Sequence, residues 1–366
     1  MPDVQPHPTS PAPLPDLLAI PPAREAAIRA LAAELRPGRR VVLSTHINAD
    51  GDGCGSEVAM ARLLAGMGLQ ATIVNPTPWP DAYRFLLDDG VREASERGAA
   101  ALAEAHVLLV LDISDVKRLG QLGDAVRALA VPRLVIDHHI ATDDPAGETV
   151  LSDTAACATG ELVFDLARVL GLPITAAVAR GLYVALLTDT GGFRFSNTSP
   201  RCHAIAAQLL AAGIDPEEMY RRVYASVPAG KLHVLREALA TLEVDEGLGL
   251  SWISLEAGAT ERHGVRSEDL EGIVEHPRSI AGTRLALFFR DLGHGKVKVS
   301  FRSLGDVDSN RLARAFGGGG HARASGALVP GSLAEVRERV VAAARATLAE
   351  GSDAAATRAP AGDAAR

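Results

Sequence analysis

Aromatic residues are scarce in this chain, at 4% of 366 positions, with eight Phe, four Tyr and two Trp. Proteins that hold long single-stranded nucleic acids stack successive bases on rows of aromatic rings, and that supply is missing. Cysteine is scarcer still. Cys54, Cys157 and Cys202 are odd in number, far apart and outside any metal-type pairing, which excludes a disulfide framework and reads as packed thiols of a reducing cytoplasm. No apolar run is long enough to cross a bilayer, so no membrane partner is expected. The first 22 residues carry eight prolines without a Lys or Arg, a pattern unlike a signal peptide. Positive charge is short as well: a net charge of −8 leaves no broad basic face for long duplex nucleic acid. A small anionic ligand in a local pocket remains compatible with it.

What is present is the composition of a soluble globular protein, 47% hydrophobic and 22% charged, long enough for two domains. Residues 1–22 and 351–366 read as disordered tails. From Arg24 the pattern alternates. Helical spacing at Ile28, Leu31 and Leu35 leads to Val41-Val42-Leu43-Ser44. A second helix, about Ser56 to Met67, leads to Ala71-Thr72-Ile73-Val74. A loop around Trp79 and an Ala-rich helix lead to His106 through Leu111, and a helix from Gln121 to Leu129 leads to Arg133-Leu134-Val135-Ile136-Asp137. Strict alternation of this kind means an α/β fold with a doubly wound, mostly parallel sheet. After Asp153 helices dominate. Strand-like runs return at Leu250–Leu255, Arg284–Phe289 and Val297–Phe301, a smaller α/β domain. The expected division is a first domain over 23–199, a helical linker over 200–242 and a second domain over 243–350.

Chemistry-bearing residues gather where the strands end. The strand through Ile136 stops abruptly in Asp137-His138-His139, one hard oxygen and two imidazoles at the carboxyl edge where open α/β sheets bind ligands. Taken alone, the triplet reads equally well as a capped turn. The first strand runs into His46-Ile47-Asn48-Ala49-Asp50-Gly51-Asp52-Gly53, with glycines that let a helix N-terminus follow at once. An EF-hand is excluded there by the missing Glu at its last position. The third strand ends in Asp112, and an apolar helix ends in Asp189 beside two glycines. Five carboxylates (Asp50, Asp52, Asp112, Asp137, Asp189), most of them at one sheet edge, would repel one another. Two divalent cations relieve that repulsion and make a hydrolytic centre. Mixed His/Asp ligation favours Mn²⁺, with Mg²⁺ or Co²⁺ as substitutes.

This set, His46-x3-Asp50-x-Asp52, then Asp112, then Asp137-His138-His139, then Asp189, resembles the four motifs of the DHH phosphoesterase superfamily in their order. The resemblance implies one metal held by His46, Asp50 and Asp112 and a second held by Asp52, Asp112, His138 and Asp189, with Asp112 bridging. It further implies that Asp137 orients His138 and that His139 sits near the scissile phosphate.

The other informative stretch is Gly317-Gly318-Gly319-Gly320-His321-Ala322-Arg323-Ala324-Ser325-Gly326. Successive glycines read as backbone amides wrapped round an anion. Nine Lys/Arg against three Asp between Arg278 and Arg323 support that reading, and Arg302 and His321 are the expected phosphate contacts. The run is similar to the signature of the DHH-associated C-terminal domain. Val299-Ser300-Phe301-Arg302-Ser303 is similar to the strand that precedes the signature there, which adds Ser303. Such a domain would grip the substrate while the larger one holds the metals. Phe193-Arg194-Phe195-Ser196-Asn197-Thr198 resembles the short-oligonucleotide branch, and Arg194 is expected to reach the substrate.

Lobe order and compact length are most similar to the nanoRNase and 3′-phosphoadenosine 5′-phosphate (pAp) phosphatase branch. The expected activity is removal of 5′-mononucleotides from RNA or DNA oligomers of a few units and of the 3′-phosphate from pAp. A (cyclic) dinucleotide phosphodiesterase is the second reading, and a nucleotide-binding regulator with a structural metal site is a third. Family resemblance also implies a homodimer.

Overall fold

The computed structural model describes residues 16–358 apart from 89, 141–143 and 271, with backbone alone at 268, 321 and 350–358. The chain divides into two compact units, Met1–Ser226 and Val227–Arg366. In the first, β1 (Arg40–Ser44), β2 (Gln70–Ile73), β3 (Val107–Leu111), β4 (Arg133–Asp137) and β5 (Thr149–Ser152) form one parallel sheet in the order β2-β1-β3-β4-β5. Its helices are α1 (Pro22–Ala32), α2 (Gly51–Gly66), α3 (Ala99–Leu102), α4 (Gly123–Ala128), α5 (Thr159–Val169), α6 (Ala176–Asp189), α7 (Pro200–Ala211) and α8 (Pro216–Tyr224).

The strands alternate between two separate apolar layers. Val41, Leu43, Leu109, Leu111, Leu134 and Ile136 face one, and Val42, Leu108, Val110 and Val135 face the other. A strand apolar on both faces is stable only when helices cover both, which is the doubly wound arrangement. This strand order reverses direction between β1 and β3, the switch point where such sheets bind ligands. Helix starts follow their capping chemistry. Asp50 caps α2, Thr175 caps α6, and Ser199 and Asp215 cap α7 and α8 just ahead of Pro200 and Pro216.

Glycine sets the approach of α2 and α6. A Cβ at Gly55 would lie 2.3 Å from the Gly181 carbonyl, and one at Gly181 would lie 2.5 Å from that of Gly55. At the upper end, Gly51 abuts Thr188 in the same way, with a Cβ only 2.3 Å from its methyl. The first turn of α2, carrying Asp52, is thereby pressed against the last turn of α6, carrying Asp189.

In the second unit, α9 (Ala229–Leu239), α10 (Ala259–Arg262), α11 (Glu275–Arg278), α12 (Ser309–Ala315) and α13 (Leu333–Arg358) accompany β6 (Glu243–Asp245), β7 (Leu250–Leu255), β8 (Leu285–Asp291), β9 (Lys296–Ser303), β10 (Gly319–His321) and β11 (Ala324–Pro330). The sheet order is β10-β11-β9-β8-β7-β6, antiparallel except at β7/β8. The helices expected as a linker over 200–242 are apportioned between the units. Cys202, Ile205, Leu209 and Met219 belong to the first core, whereas Val234 and Ala238 belong to the second. The tails expected at 1–22 and 351–366 lie outside the described residues at 1–15 and 359–366. Between those limits α13 runs on to Arg358, and the carbonyls of Leu17 and Ala19 accept hydrogen bonds from Arg201. No helix among the described residues is long and apolar enough to cross a membrane.

A buried ion cluster ties α1, α5 and α7 together. The Arg24 guanidinium lies 2.7 Å from Asp153, 2.8 Å from Glu161 and 2.7 Å from Asp165. Arg201 adds contacts of 3.0 Å to Glu161 and 2.6 Å to Asp165. Removing Arg24 leaves Glu161 and Asp165 with Arg201 alone and takes the guanidinium from Asp153, and breaking a buried ion pair costs about 3–5 kcal/mol. Arg24→Met should therefore lower the thermal midpoint by roughly 6–15 °C, at about 2–3 °C per kcal/mol for a unit of this size. Differential scanning calorimetry measures it, and an unchanged midpoint would show the cluster to be energetically idle.

Candidate metal centre

Each side chain of the centre is placed by the end of a regular element. β1 delivers His46, and Asp50 is the N-cap of α2. One Asp50 oxygen accepts the amides of Asp52 and Gly53 at 3.0 and 3.1 Å, while the other lies 3.7 Å from His46 Nε2. β3 delivers Asp112, which adopts a left-handed backbone, φ +63°. Such a conformation is uncommon for a non-glycine residue and persists only where neighbours impose it. β4 delivers Asp137, His138 and His139, and Asp189 ends α6.

Both imidazoles are set as ligands. His46 Nδ1 lies 2.9 Å from the Ile47 carbonyl and His138 Nδ1 lies 3.3 Å from that of Ala156, so each Nδ1–H donates to backbone and each Nε2 keeps its lone pair. Those two Nε2 atoms are buried and have no hydrogen-bond partner. Around them stand carboxylate oxygens. His138 Nε2 is 3.7 Å from Asp52, 3.6 Å from Asp112 and 3.6 Å from Asp189. His46 Nε2 is 3.4 Å from the other oxygen of Asp112. Separations of this size are too long for good hydrogen bonds. They match the edge of a tetrahedron of ligands about 2.1 Å from a shared ion, roughly 3.4 Å.

Among the described residues three groups of donor atoms converge, His46/Asp50/Asp112, Asp52/His138/Asp189 and Asp112/His138/His139, each with all atoms within 4.8 Å of one another. Asp112 turns one oxygen to His46 and the other to His138. The electrostatics agree with a missing positive charge. Burial, and then the charges of Asp112 and Asp189, hold Asp52 well above the usual carboxylate range. Burial pushes Asp189 up to about 6, against the pull of His138 and with the repulsion of Asp112. Burial lowers His46, but its contacts with Asp112 and Asp50 overcome that and raise it to about 10. A divalent cation in either of the first two groups would reverse these shifts. The residues fit a pair of such ions.

All six metal-ligand candidates read from the sequence meet at this rim. Asp137 is held differently from expectation. Its Oδ1 accepts both the backbone N–H and the ring Nδ1–H of His139, at 3.1 and 2.8 Å, and its Oδ2 accepts the Ser114 hydroxyl at 2.5 Å. The i to i+2 geometry at the strand end favours His139 over His138. Burial opposes the charge on Asp137, yet those bonds keep its carboxyl below the ordinary range, and they raise His139 in turn.

Several supporting residues carried no sequence signal. Asp52 accepts the amides of Thr159 and Gly160 at 2.6 and 3.0 Å and the Ser56 hydroxyl at 3.0 Å. The Thr159 hydroxyl donates to Asp112 at 3.0 Å. α5 has no side-chain cap of its own at Ala158, and the carboxylate of a distant helix fills that role. The Asn197 amide reaches Asp189 Oδ2 at 3.2 Å and the carbonyls of Asp189 and Cys157 at 3.1 and 2.9 Å.

The expected phosphate contacts of the second unit divide. Ser303 is fully buried and donates to the Val307 carbonyl at 2.6 Å, so it cannot touch a ligand. The glycine run forms a helix stop and a hairpin rather than an open anion nest. Gly317 and Gly318 donate to the Arg314 and Ala313 carbonyls at 3.1 and 2.9 Å, and Gly319 and Gly320 pair with β11. Arg302 lies 3.1 Å from Glu275. It stands in register with Ala324, which pairs with His321, so the backbone puts positions 302, 324 and 321 in one row. The His321 side chain is outside the described part. Arg194 is exposed, with Nε donating to the Gly191 carbonyl at 2.6 Å.

A model of the DHH family, N-terminal domain, matches residues 40–186, and one of the DHHA1 domain matches residues 251–350. The chain is 32% identical over 311 residues to the bifunctional oligoribonuclease and PAP phosphatase NrnA of Thermus thermophilus, covering 84% of this chain and 90% of that protein. The NrnA of Bacillus subtilis is 27% identical over 298 residues, covering 79% and 89%. A crystal structure of an exopolyphosphatase-related protein from Bacteroides fragilis superimposes with a TM-score of 0.81 at 28% identity, covering 88% of this chain and 98% of that one.

The geometry makes a signed prediction. Asp112→Asn removes a repelling charge and keeps a residue type that tolerates the left-handed backbone. Without metal the variant should melt above wild type. With Mn²⁺ at a hundred times the wild-type dissociation constant, wild type should gain about 2.7 kcal/mol and the variant far less, so a thermal melt that fails to invert the order refutes the shared-ligand role. Motif order, converging donor groups and similarity to these relatives over most of the chain give one conclusion: the chain belongs to the DHH phosphoesterase family, with a DHH domain followed by a DHHA1 domain, and is a phosphoric ester hydrolase.

Proposed function

We propose that this protein is a Mn²⁺-dependent phosphohydrolase that trims short RNA oligonucleotides to 5′-mononucleotides and removes the 3′-phosphate of pAp. The observation that carries this reading is the double donor set split by Asp112, taken with relatives over most of the chain that are named for both activities. His46, Asp50 and Asp112 would hold one ion, and Asp52, Asp112, His138 and Asp189 the other. Bound there, the ions would supply Lewis acidity to the phosphoryl group and to the attacking water.

The chain's own groups do the rest. His139 donates Nδ1–H to Asp137, which fixes its tautomer and leaves Nε2 for the substrate. Raised in pKa by that bond, the imidazolium is suited to hold negative charge on the phosphate or to give a proton to the departing oxygen. Ser114 and Asp137 keep the ring in place. Arg194 is exposed in the turn that follows Asp189 and would meet the substrate, and Arg302 and the Gly319–His321 hairpin of the second unit are proposed as further substrate contacts. A homodimer is part of this proposal.

A single panel tests it: pAp, a dinucleotide, a 5-mer and a 24-mer of RNA, and cyclic di-AMP, each with Mn²⁺, Mg²⁺ or Co²⁺. The expected outcome is mononucleotide release from the dinucleotide and 5-mer and phosphate release from pAp, all reduced by about 10²–10³-fold in Asp112→Asn, a loss of the size seen when transition-state charge is left unstabilised. Preferential turnover of cyclic di-AMP would favour the dinucleotide phosphodiesterase reading. Absence of turnover on every substrate, at the level of the variant, would favour a regulator.

A further inference from the structure

The segment just after Asp189 presents a ring that the metal centre does not use. Gly191, Gly192 and Phe193 are successive left-handed residues, with φ of +58°, +71° and +63°. Three in a row, the last with a bulky side chain, form a turn that the chain would not adopt unaided. It is held from below. The Thr190 carbonyl accepts the amides of both Arg194 and Phe195 at 2.9 Å, the Thr190 hydroxyl accepts that of Phe193 at 3.0 Å, and Leu187 accepts that of Gly192 at 2.7 Å. Phe193 is the anchor, stacked on His203 with centroids 5.4 Å apart and edge-on to Tyr183 at 6.0 Å.

The alternation Phe-Arg-Phe then sends the second ring the other way. Phe195 is 50% exposed and, of the eight phenylalanines, is the one that stands out from the fold. Its ring lies flat on the backbone of Gly191, where a Cβ would come within 2.4–2.7 Å of three ring carbons. One face is seated and the other is bare. Gly191 is two residues past Asp189, within about 7.6 Å along the chain, and the Arg194 guanidinium bonds to the same Gly191 carbonyl side of the turn. Isolated exposed apolar side chains are ordinary. A ring seated by a strained turn, beside a cation and next to a metal ligand, is a built surface.

We infer that Phe195 is a base-stacking subsite: its bare face takes the nucleobase attached to the phosphate being cleaved, and Arg194 faces the phosphate or sugar of the same nucleotide. An aromatic face accepts any base, so the contact gives affinity without sequence choice. One ring for one base also suits a chain poor in aromatics and a substrate of few units. This inference rests on the nucleotide substrate proposed above and deepens it.

The test uses the full-length Mn²⁺ enzyme and three probes: an RNA dinucleotide, the same dinucleotide with the base replaced by hydrogen on the nucleotide bearing the scissile phosphate, and a dinucleotide carrying 2-aminopurine there. Phe195→Leu should raise KM for the normal dinucleotide about tenfold or more, the size of one base stack, with kcat within twofold. It should leave the abasic substrate within twofold throughout. Phe195→Trp should restore KM. 2-Aminopurine fluorescence should be quenched on wild type and unquenched on Phe195→Leu. Equal effects on normal and abasic substrates, or none on either, would overturn the subsite, as would a change in solution mass in Phe195→Leu, which would show the ring covered by a second copy. Quenching by a wild type that cleaves neither dinucleotide would preserve the subsite and remove the hydrolase reading.

Discussion

The first unit is organised round the mutual repulsion of carboxylates gathered at one sheet edge. Asp52 and Asp112 are almost wholly buried, and low-dielectric surroundings strengthen their repulsion. The fold disposes of some of this charge with its own dipoles. The start of α5 donates two amides to Asp52, the start of α2 donates two to one oxygen of Asp50, and His139 and Ser114 occupy Asp137. Asp112 and Asp189 each receive one further donor, from the Thr159 hydroxyl and the Asn197 amide, and with the outer oxygen of Asp50 they remain turned to two bare imidazole nitrogens. Unbalanced negative charge is thus concentrated where two cations fit.

Such a centre works only if the distances are held rigidly, and the holding is done from behind. The Glu161 carboxylate accepts the Cys157 amide at 3.1 Å, one turn before the amides that grip Asp52. Glu161 is itself fixed by Arg24 and Arg201. The buried ion cluster is therefore a mount for the start of α5, not an ornament of the surface. On the other side, the close glycine contacts of α2 with α6 leave no slack between Asp52 and Asp189. Ligands carried on helix ends and strand ends keep their geometry better than ligands on loops.

Backbone strain concentrates at the same rim. Asp112 bends left-handed where β3 ends, and the turn from Gly191 to Phe193 does so just past Asp189. A left-handed non-glycine residue is sustained by surrounding packing, and here that packing aims one carboxylate oxygen at each of two imidazoles in one case and seats an exposed ring in the other. The second unit shows the converse: glycines placed by the sequence in a ligand-binding role serve a helix stop and a tight hairpin, with Cβ positions at Gly318 and Gly320 that would strike β11.

The parallel sheet was legible because apolar, β-branched runs alternated with helical spacing. The six metal-ligand candidates were legible because most of them sit at or just past the end of an apolar segment and because their order resembles the motifs of the DHH superfamily. β5 was not legible: Thr149–Ser152 is short and mixed in polarity, and only its pairing with β4 makes it a strand. Thr159, Ser114 and Asn197 were invisible for a related reason, since each acts through contacts with residues far along the chain or through a turn whose shape the neighbours impose. Ser303 came from the likeness of its strand to the DHH-associated domain, and such a likeness says nothing about which side chains the strand buries. The sequence by itself determined the order of the elements and offered the candidate ligands, the first through local periodicity and the second through donor chemistry and motif order. Tertiary structure alone decided that Asp52 caps a foreign helix and that Ser114 and Thr159 hold Asp137 and Asp112, because those depend on distances between segments that no spacing along the chain encodes.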